Sequence, residues 1–143
     1  MWDQACQNAL DNIKKYLLNS LVLGAPTPGK PLILYVAAQE ESLGALLAQE
    51  NEEHKEKSLY YLSSRLTLTE LKYSPIEKTC LALVFASQKL RHYFLAHTIH
   101  LVARADPIKY VMSKPVLSGR LARWSILFNE FEIIYVPRKV IKG

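Results

Sequence analysis

Ser74-Pro75-Ile76-Glu77 is the most informative segment of the chain, and an apolar-periodic run from Lys78 to Leu90 follows it. Serine is a favoured cap at the start of a helix, and proline is favoured at the first helical position. Glu77 stands three residues after Ser74, where its carboxylate can accept a hydrogen bond from the backbone amide of the cap. We therefore predict a helix over residues 75–90. Its first turn carries a carboxylate that is either a capping residue or a catalytic one.

Apolar segments on either side of this helix have the length and composition of buried strands. Residues 31–38 precede the helix and end in Ala37-Ala38, and residues 99–105 follow it and end in Ala103-Arg104-Ala105. Because a helical connection joins them, we predict that the two strands are parallel in one sheet, the later strand covering residues 98–103. Neither strand ends in an acidic residue.

The remaining segments complete an α/β pattern. Before the first strand we predict a connector helix and a Pro/Gly linker over residues 1–29, and the folded domain then covers residues 30–143. After the first strand we predict a turn at 39–41, a returning strand at 43–48, a polar turn at 50–57 and a third strand at 58–62, with Ser63, Ser64 and Arg65 leaving the sheet. Later we predict a short helix at 107–112, a helix at 118–129 capped by Ser118, and a strand at 131–136. The expected fold class is a five-stranded mixed sheet, made of a three-strand antiparallel meander plus two parallel strands, flanked by helices.

The bulk composition indicates one folded domain. The chain has 143 residues, of which 50% are hydrophobic and 22% are charged, and this balance argues against disorder or a coiled coil. Its apolar runs are far shorter than a membrane span and no secretion signal opens it, so we expect an intracellular protein of the cytoplasm or nucleus. A net charge of +5 favours an acidic partner, of which nucleic acid is the commonest, although many basic domains bind nothing.

The two cysteines, Cys6 and Cys80, fall on apolar helical faces without a Cys or His at metal-ligand spacing. We predict that both are reduced core thiols and that the chain has no zinc site.

Segments spread over nearly the whole chain resemble a known family. They are Lys30-Pro31-Leu32-Ile33-Leu34, Leu43-Gly44-Ala45-Leu46-Leu47-Ala48-Gln49, Tyr61-Leu62-Ser63-Ser64-Arg65-Leu66, Glu70-Leu71-Lys72-Tyr73-Ser74-Pro75-Ile76-Glu77-Lys78, Arg91-His92-Tyr93-Phe94 and Gly119-Arg120-Leu121-Ala122-Arg123-Trp124. In this order and spacing the chain resembles the ribonuclease H-like domain that follows reverse transcriptase in gypsy-type retrotransposon polyproteins. The residues of these segments are most similar to those of plant elements. The resemblance implies a ribonuclease H fold.

Active members of this family cleave the RNA strand of an RNA–DNA hybrid, using carboxylates to hold two divalent ions. Several converging anionic oxygens are needed because the two ions repel each other. Aligned to the family without gaps, this chain has Ala37 at the first aspartate position, Glu77 at the glutamate and Ala105 at the fourth-strand aspartate. If one residue is dropped, Asp106 takes that last position, and we favour Ala105. The final aspartate of the family falls beyond Gly143.

The resemblance therefore implies a site from which most of the acids have been lost. Glu77 is the catalytic remnant, and Asp106 is a doubtful second acid. We expect no metal site and no cofactor, where intact members use Mg²⁺. Only Glu40, Glu41 and Asp106 lie near enough to substitute for the missing aspartates.

Four cations in the family's recurrent segments are our candidate nucleic-acid contacts, because phosphates dominate the affinity of such surfaces. They are Arg65, Lys72, Arg120 and Arg123. The alternative is that they are solubilising charges. Trp124 is at near-helical spacing with Phe128 and Phe131, which indicates a core position rather than a platform for bases.

These observations favour a non-catalytic ribonuclease H-like module that acts as a connector and supports a hybrid beside the polymerase of its polyprotein. A second, intact ribonuclease H domain is a further expected neighbour, and a membrane partner is not expected. One rival is an active Mg²⁺-dependent hybrid ribonuclease built from Glu77, Asp106 and substitutes. Another is a genomic relic that folds and binds nothing.

Overall fold

The computed structural model describes residues 25–114 and 119–137. The predicted connector helix, Cys6 and the predicted cap Ser118 lie outside these ranges, and so do residues 138–143.

The described residues form five strands, four α-helices and one short 3₁₀ helix. The strands are β1 (Leu32–Ala38), β2 (Ser42–Glu50), β3 (Glu56–Arg65), β4 (Ile99–Val102) and β5 (Ile133–Tyr135). The helices are α1 (Pro75–Lys89), α2 (Arg91–Ala96), α3 (Pro107–Met112) and α4 (Gly119–Asn129), and the 3₁₀ helix covers Glu70–Lys72. Sequence patterning did not predict α2 or the 3₁₀ helix, which are both short.

The strand order in the sheet is β3-β2-β1-β4-β5. The β1–β2 and β2–β3 pairs are antiparallel, and the β1–β4 and β4–β5 pairs are parallel. The predicted mixed five-stranded sheet is therefore confirmed, including the parallel pairing across the helical connection. No helix within the described ranges is long and apolar enough to cross a membrane.

The prediction that the chain leaves the sheet after Leu62 was wrong. Ser63, Ser64 and Arg65 pair with Gly44, Leu43 and Ser42 respectively, so β3 continues to its tenth residue. These polar residues are compatible with a strand because β3 is at the edge of the sheet, where side chains have access to water.

The N-terminal signal of α1 is present as predicted. The Ser74 hydroxyl accepts a hydrogen bond from the Glu77 amide at 3.4 Å, and the Glu77 carboxylate accepts one from the Ser74 amide at 3.0 Å. Behind this capping box, α1 buries Cys80, Leu83 and neighbouring small residues in the same core as alternate residues of β1. The core therefore holds the start of α1 in place over the sheet.

On the face of the sheet away from α1, β2 lies between tyrosines of β1 and β3. Tyr35, Leu46 and Tyr61 are aligned across β1, β2 and β3. The Tyr35 hydroxyl reaches over β2 to the carboxylate of Glu56 on β3. The Tyr61 hydroxyl lies 3.6 Å from the place where a Cβ on Gly44 would stand. Leu46, which lies between Tyr35 and Tyr61 in the sheet register, has 0% of its surface exposed.

Candidate functional site

The three positions that correspond to the family's acids lie close to the place where the parallel strands β1 and β4 end. This place is called the candidate edge below. Ala37 is near the end of β1 and is 5% exposed, and Ala105 follows the end of β4, the parallel neighbour of β1. Lys78, in the first turn of α1, donates a hydrogen bond to the Glu40 carbonyl at 3.0 Å, so this turn of the helix lies beside the β1–β2 turn. Two of the three positions present only methyl groups.

Both carboxylate oxygens of Glu77 already accept hydrogen bonds. Oε1 accepts from the Ser74 amide at 3.0 Å, and Oε2 accepts from Nη2 of Arg120 at 2.8 Å. The hydrogen bond from the Ser74 amide is the largest cause that lowers the pKa of Glu77; burial opposes it, and Arg120 lowers the pKa further. Glu77 is thus an ionised capping residue with a guanidinium partner.

Arg120 is held by two aromatic rings as well as by Glu77. Its guanidinium carbon lies 4.2 Å from the centre of the Tyr73 ring and 5.6 Å from that of Trp124. The two rings meet edge to face with their centres 6.2 Å apart. Trp124 is 6% exposed, which confirms its predicted core position. Unlike the other three candidate cations, Arg120 is therefore largely committed to contacts within the chain.

Asp106 caps α3. Its Oδ1 accepts hydrogen bonds from the amides of Ile108 and Lys109, both at 3.0 Å. These bonds satisfy two donors that a helix start otherwise leaves free. The carboxylate that the sequence left as a doubtful second acid therefore caps this helix through Oδ1.

Cys80 lies between α1 and α3. Its thiol is 0% exposed and donates a 3.6 Å hydrogen bond to the Pro107 carbonyl. Burial raises the pKa of the thiol to about 12, and the nearby charges of Glu77 and Asp106 act in the same direction. The predicted reduced core thiol is confirmed at this position.

The side chains at this edge do not fit a pair of metal ions. In residues 25–114 and 119–137, no three His, Cys, Asp or Glu side chains come together in a group that could hold a metal. Glu77 accepts hydrogen bonds from Ser74 and Arg120, and Asp106 accepts hydrogen bonds from the first turn of α3. Glu41 lies 3.6 Å from Arg65 in an exposed pair. A metal pair needs several anionic oxygens converging on one point, which these contacts do not provide.

Three of the predicted nucleic-acid cations remain exposed: Arg65, Lys72 and Arg123. Arg65 pairs with Glu41 while 86% of its side chain is exposed, and such pairs contribute little to stability. Lys72 is in the last turn of the 3₁₀ helix, and Arg123 is on the solvent side of α4. Sequence reasoning did not name Lys78 as a cation of this site, although it contacts the β1–β2 turn. Its position directly after Glu77 was the signal that could have found it.

Comparisons with known proteins found a matching family and similar polyprotein sequences. The sequence profile of a family described as "RNase H-like domain found in reverse transcriptase" matches residues 2–101. A retrovirus-related Pol polyprotein from transposon opus of Drosophila melanogaster is 29% identical over 96% of this chain, and the Tf2-3 transposon polyprotein of Schizosaccharomyces pombe is 30% identical over 95% of it. The chain spans only 14% and 11% of the lengths of these two relatives.

Solved structures with a similar fold include one viral reverse transcriptase in two complexes and a ribonuclease H. The foamy viral protease-reverse transcriptase in complex with dsDNA has a TM-score of 0.70 at 20% identity, covering 100% of this chain and 30% of its own. The same viral protein in complex with RNA/DNA hybrid has a TM-score of 0.66 at 22% identity, covering 97% and 19%. LC11-RNase H1, isolated from compost, has a TM-score of 0.50 at 14% identity, covering 78% and 87%.

Proposed function

Because the chain belongs to the family of RNase H-like domains found in reverse transcriptases, we propose that it is a catalytically silent member that supports an RNA–DNA hybrid beside a polymerase. Its curated relatives are retrotransposon polyproteins, and the chain corresponds to a small part of each. The adjacent polymerase and a second, intact ribonuclease H domain are the partners that this proposal places in the same polyprotein.

The proposed absence of catalysis is supported above all by the hydrogen bonds of Glu77. Its two oxygens accept hydrogen bonds from Ser74 and Arg120, and the other two acid positions are Ala37 and Ala105. A hydrated Mg²⁺ gives up its waters reluctantly, and one carboxylate that is already engaged is a poor replacement for them. Metal-assisted hydrolysis therefore lacks its ligands at this edge.

The proposed nucleic-acid role is supported by charge and by the structural neighbours. Arg65, Lys72 and Arg123 are exposed cations on a chain with a net charge of +5. Solved structures of the similar viral protein contain dsDNA or an RNA/DNA hybrid. Contacts from exposed cations to phosphates would give affinity that depends on salt and not on sequence.

Three finer points belong to the same proposal. The parent element is of the gypsy type, its host is a plant, and the protein is intracellular, in the cytoplasm or nucleus. The first two rest on the resemblance of the short segments quoted above, and the third is supported by the unpaired, buried thiol of Cys80, which suits a reducing compartment.

A cleavage assay tests the proposal. Purified protein is incubated with an end-labelled RNA–DNA hybrid and Mg²⁺ or Mn²⁺, and we expect the hybrid to stay intact. Cleavage that Glu77→Gln abolishes, and that the matched control Glu53→Gln in the exposed β2–β3 turn leaves unchanged, would establish the active rival instead. In a parallel binding assay, no hybrid binding at low salt would contradict the supporting role and favour a relic.

A further inference from the structure

The ion pair between Glu77 and Arg120 joins the starts of two helices that are 43 residues apart in the sequence. Glu77 is in the first turn of α1, and Arg120 is the second residue of α4. The pair is largely shielded, because 18% of the Glu77 side chain and 35% of the Arg120 side chain are exposed. Shielding of this kind makes a charge pair stronger than a surface pair.

Aromatic packing fixes the guanidinium in front of the carboxylate. Tyr73 precedes the cap of α1 and Trp124 is one helical turn after Arg120, so each ring comes from the same segment as one member of the ion pair. The Nε atom of Arg120 is buried and has no hydrogen-bond partner among the described residues. Both rings lie within cation–π distance of the guanidinium, so ring packing contributes to its position.

The guanidinium thereby supplies a positive charge to the one acid that is kept from the family's metal-binding set. A metal ion at this edge would have to compete with a cation that is tethered to the chain and already in contact with Oε2 at 2.8 Å. Moving Arg120 away would also break its contacts with Tyr73 and Trp124.

We propose that Arg120 is a positioning residue that holds Glu77 as a structural group, so that aspartates restored at positions 37 and 105 bind metal well only when Arg120 is also removed. The inference goes beyond the proposed function, because it concerns affinity for a metal ion and not for nucleic acid. The absence of two aspartates is then only part of the reason why the edge does not fit a metal pair.

The test measures Mn²⁺ binding by titration calorimetry, with no nucleic acid present. The proteins are the wild type, A37D/A105D, A37D/A105D/R120Q and the matched control A37D/A105D/R123Q. The control removes the same charge from the exposed side of the same helix, so it separates a specific effect from a change in net charge. We expect the R120Q triple variant to bind Mn²⁺ at least about tenfold more tightly than both the double variant and the R123Q control. Equal affinity in these three proteins would overturn the proposal.

A second measurement decides the matter if the aspartates prevent folding, since Ala37 is only 5% exposed. Urea unfolding of the wild type, E77Q, R120Q and E77Q/R120Q forms a double-mutant cycle. We expect R120Q to change the unfolding equilibrium constant roughly fivefold more when Glu77 is present than when glutamine replaces it. The same cycle with R123Q should show no such dependence. Additive effects of E77Q and R120Q would show that Arg120 does not hold Glu77, and the proposal would fall whether or not the domain binds a hybrid.

Discussion

The phenolic hydroxyl of Tyr35 on β1 lies 2.7 Å from each carboxylate oxygen of Glu56 on β3, although β2 runs between their strands. The tyrosine side chain therefore lies across β2, the middle strand of the meander. The contact connects the central strand to the edge strand without a backbone hydrogen bond between them.

Replacing Tyr35 with phenylalanine should lower the free energy of unfolding by about 1 kcal/mol, because a hydrogen bond to a carboxylate is removed while the ring is kept. Urea unfolding near neutral pH measures this change. Tyr60→Phe is the matched control, since Tyr60 is an exposed tyrosine on the same edge strand as Glu56. Equal effects at the two positions would contradict the role given to the Tyr35 hydroxyl.

The same contact predicts a dependence of stability on alkaline pH. Burial, and then the hydrogen bond to Glu56, raise the pKa of Tyr35 well above its usual value. The unfolded chain loses this proton near pH 10, so the contribution is complete below about pH 10 and declines as the pH rises further. The stability advantage of the wild type over Tyr35→Phe should therefore shrink above about pH 10. An advantage that stays constant in urea unfolding up to higher pH would contradict this account.

At acid pH, protonation of Glu77 should lower the free energy of unfolding. Its pKa is lowered, first by the Ser74 amide and, against the opposing effect of burial, also by Arg120. The stabilisation is present above the unfolded pKa of about 4.3 and is lost as the pH falls through the lower folded pKa. Glu77→Gln should flatten the decline of unfolding free energy below about pH 4.3, and Glu53→Gln should leave it unchanged. Equally steep declines in both variants would count against the prediction.

The capping box predicts a cost for removing the Ser74 hydroxyl. Ser74→Ala should reduce the free energy of unfolding by about 1 kcal/mol, because the Glu77 amide loses its acceptor at the start of α1. Thermal or urea unfolding measures the cost, and Ser63→Ala on the exposed part of β3 serves as the control. A cost below that of the control would show that the 3.4 Å contact contributes nothing.

Hybrid binding should distinguish the exposed cations from Arg120. Replacing Arg65, Lys72 or Arg123 with glutamine should weaken binding and reduce the slope of log affinity against log salt by up to about 0.9 for each phosphate that the variant no longer neutralises. Fluorescence anisotropy between about 50 and 200 mM salt measures the slope. Lys89→Gln is the control, because Lys89 is at the opposite end of α1 from the candidate edge. A reduction as large for Lys89→Gln would show that the charge effect is not localised there.

Local signals predicted the parts of the fold that depend on neighbouring residues. Ser74 and Glu77 are three residues apart, and their reciprocal hydrogen bonds follow from helix geometry whatever the rest of the chain does. The parallel pairing of β1 with β4 follows from a similar regularity, the connection through a helix. Both features are therefore predictable from the amino-acid sequence alone.

Contacts between distant segments were not predictable in this way. Arg120 was placed among the candidate phosphate contacts, but it is 43 residues from the carboxylate that it pairs with. Its position depends on how α4 packs against the start of α1, and one sequence contains no signal for that packing. The prediction for the end of β3 was wrong for a related reason, because its polar residues are acceptable only at the edge of a sheet.

The burial of Cys80 gives this domain a built-in chemical reporter. Alkylating reagents attack the thiolate, and a thiol with a pKa of about 12 and no exposed surface presents almost none. Maleimide labelling at Cys80 must therefore wait for α1 to separate from α3. In a Cys6→Ser background, the labelling rate measures how often the protein interior opens, without any added probe.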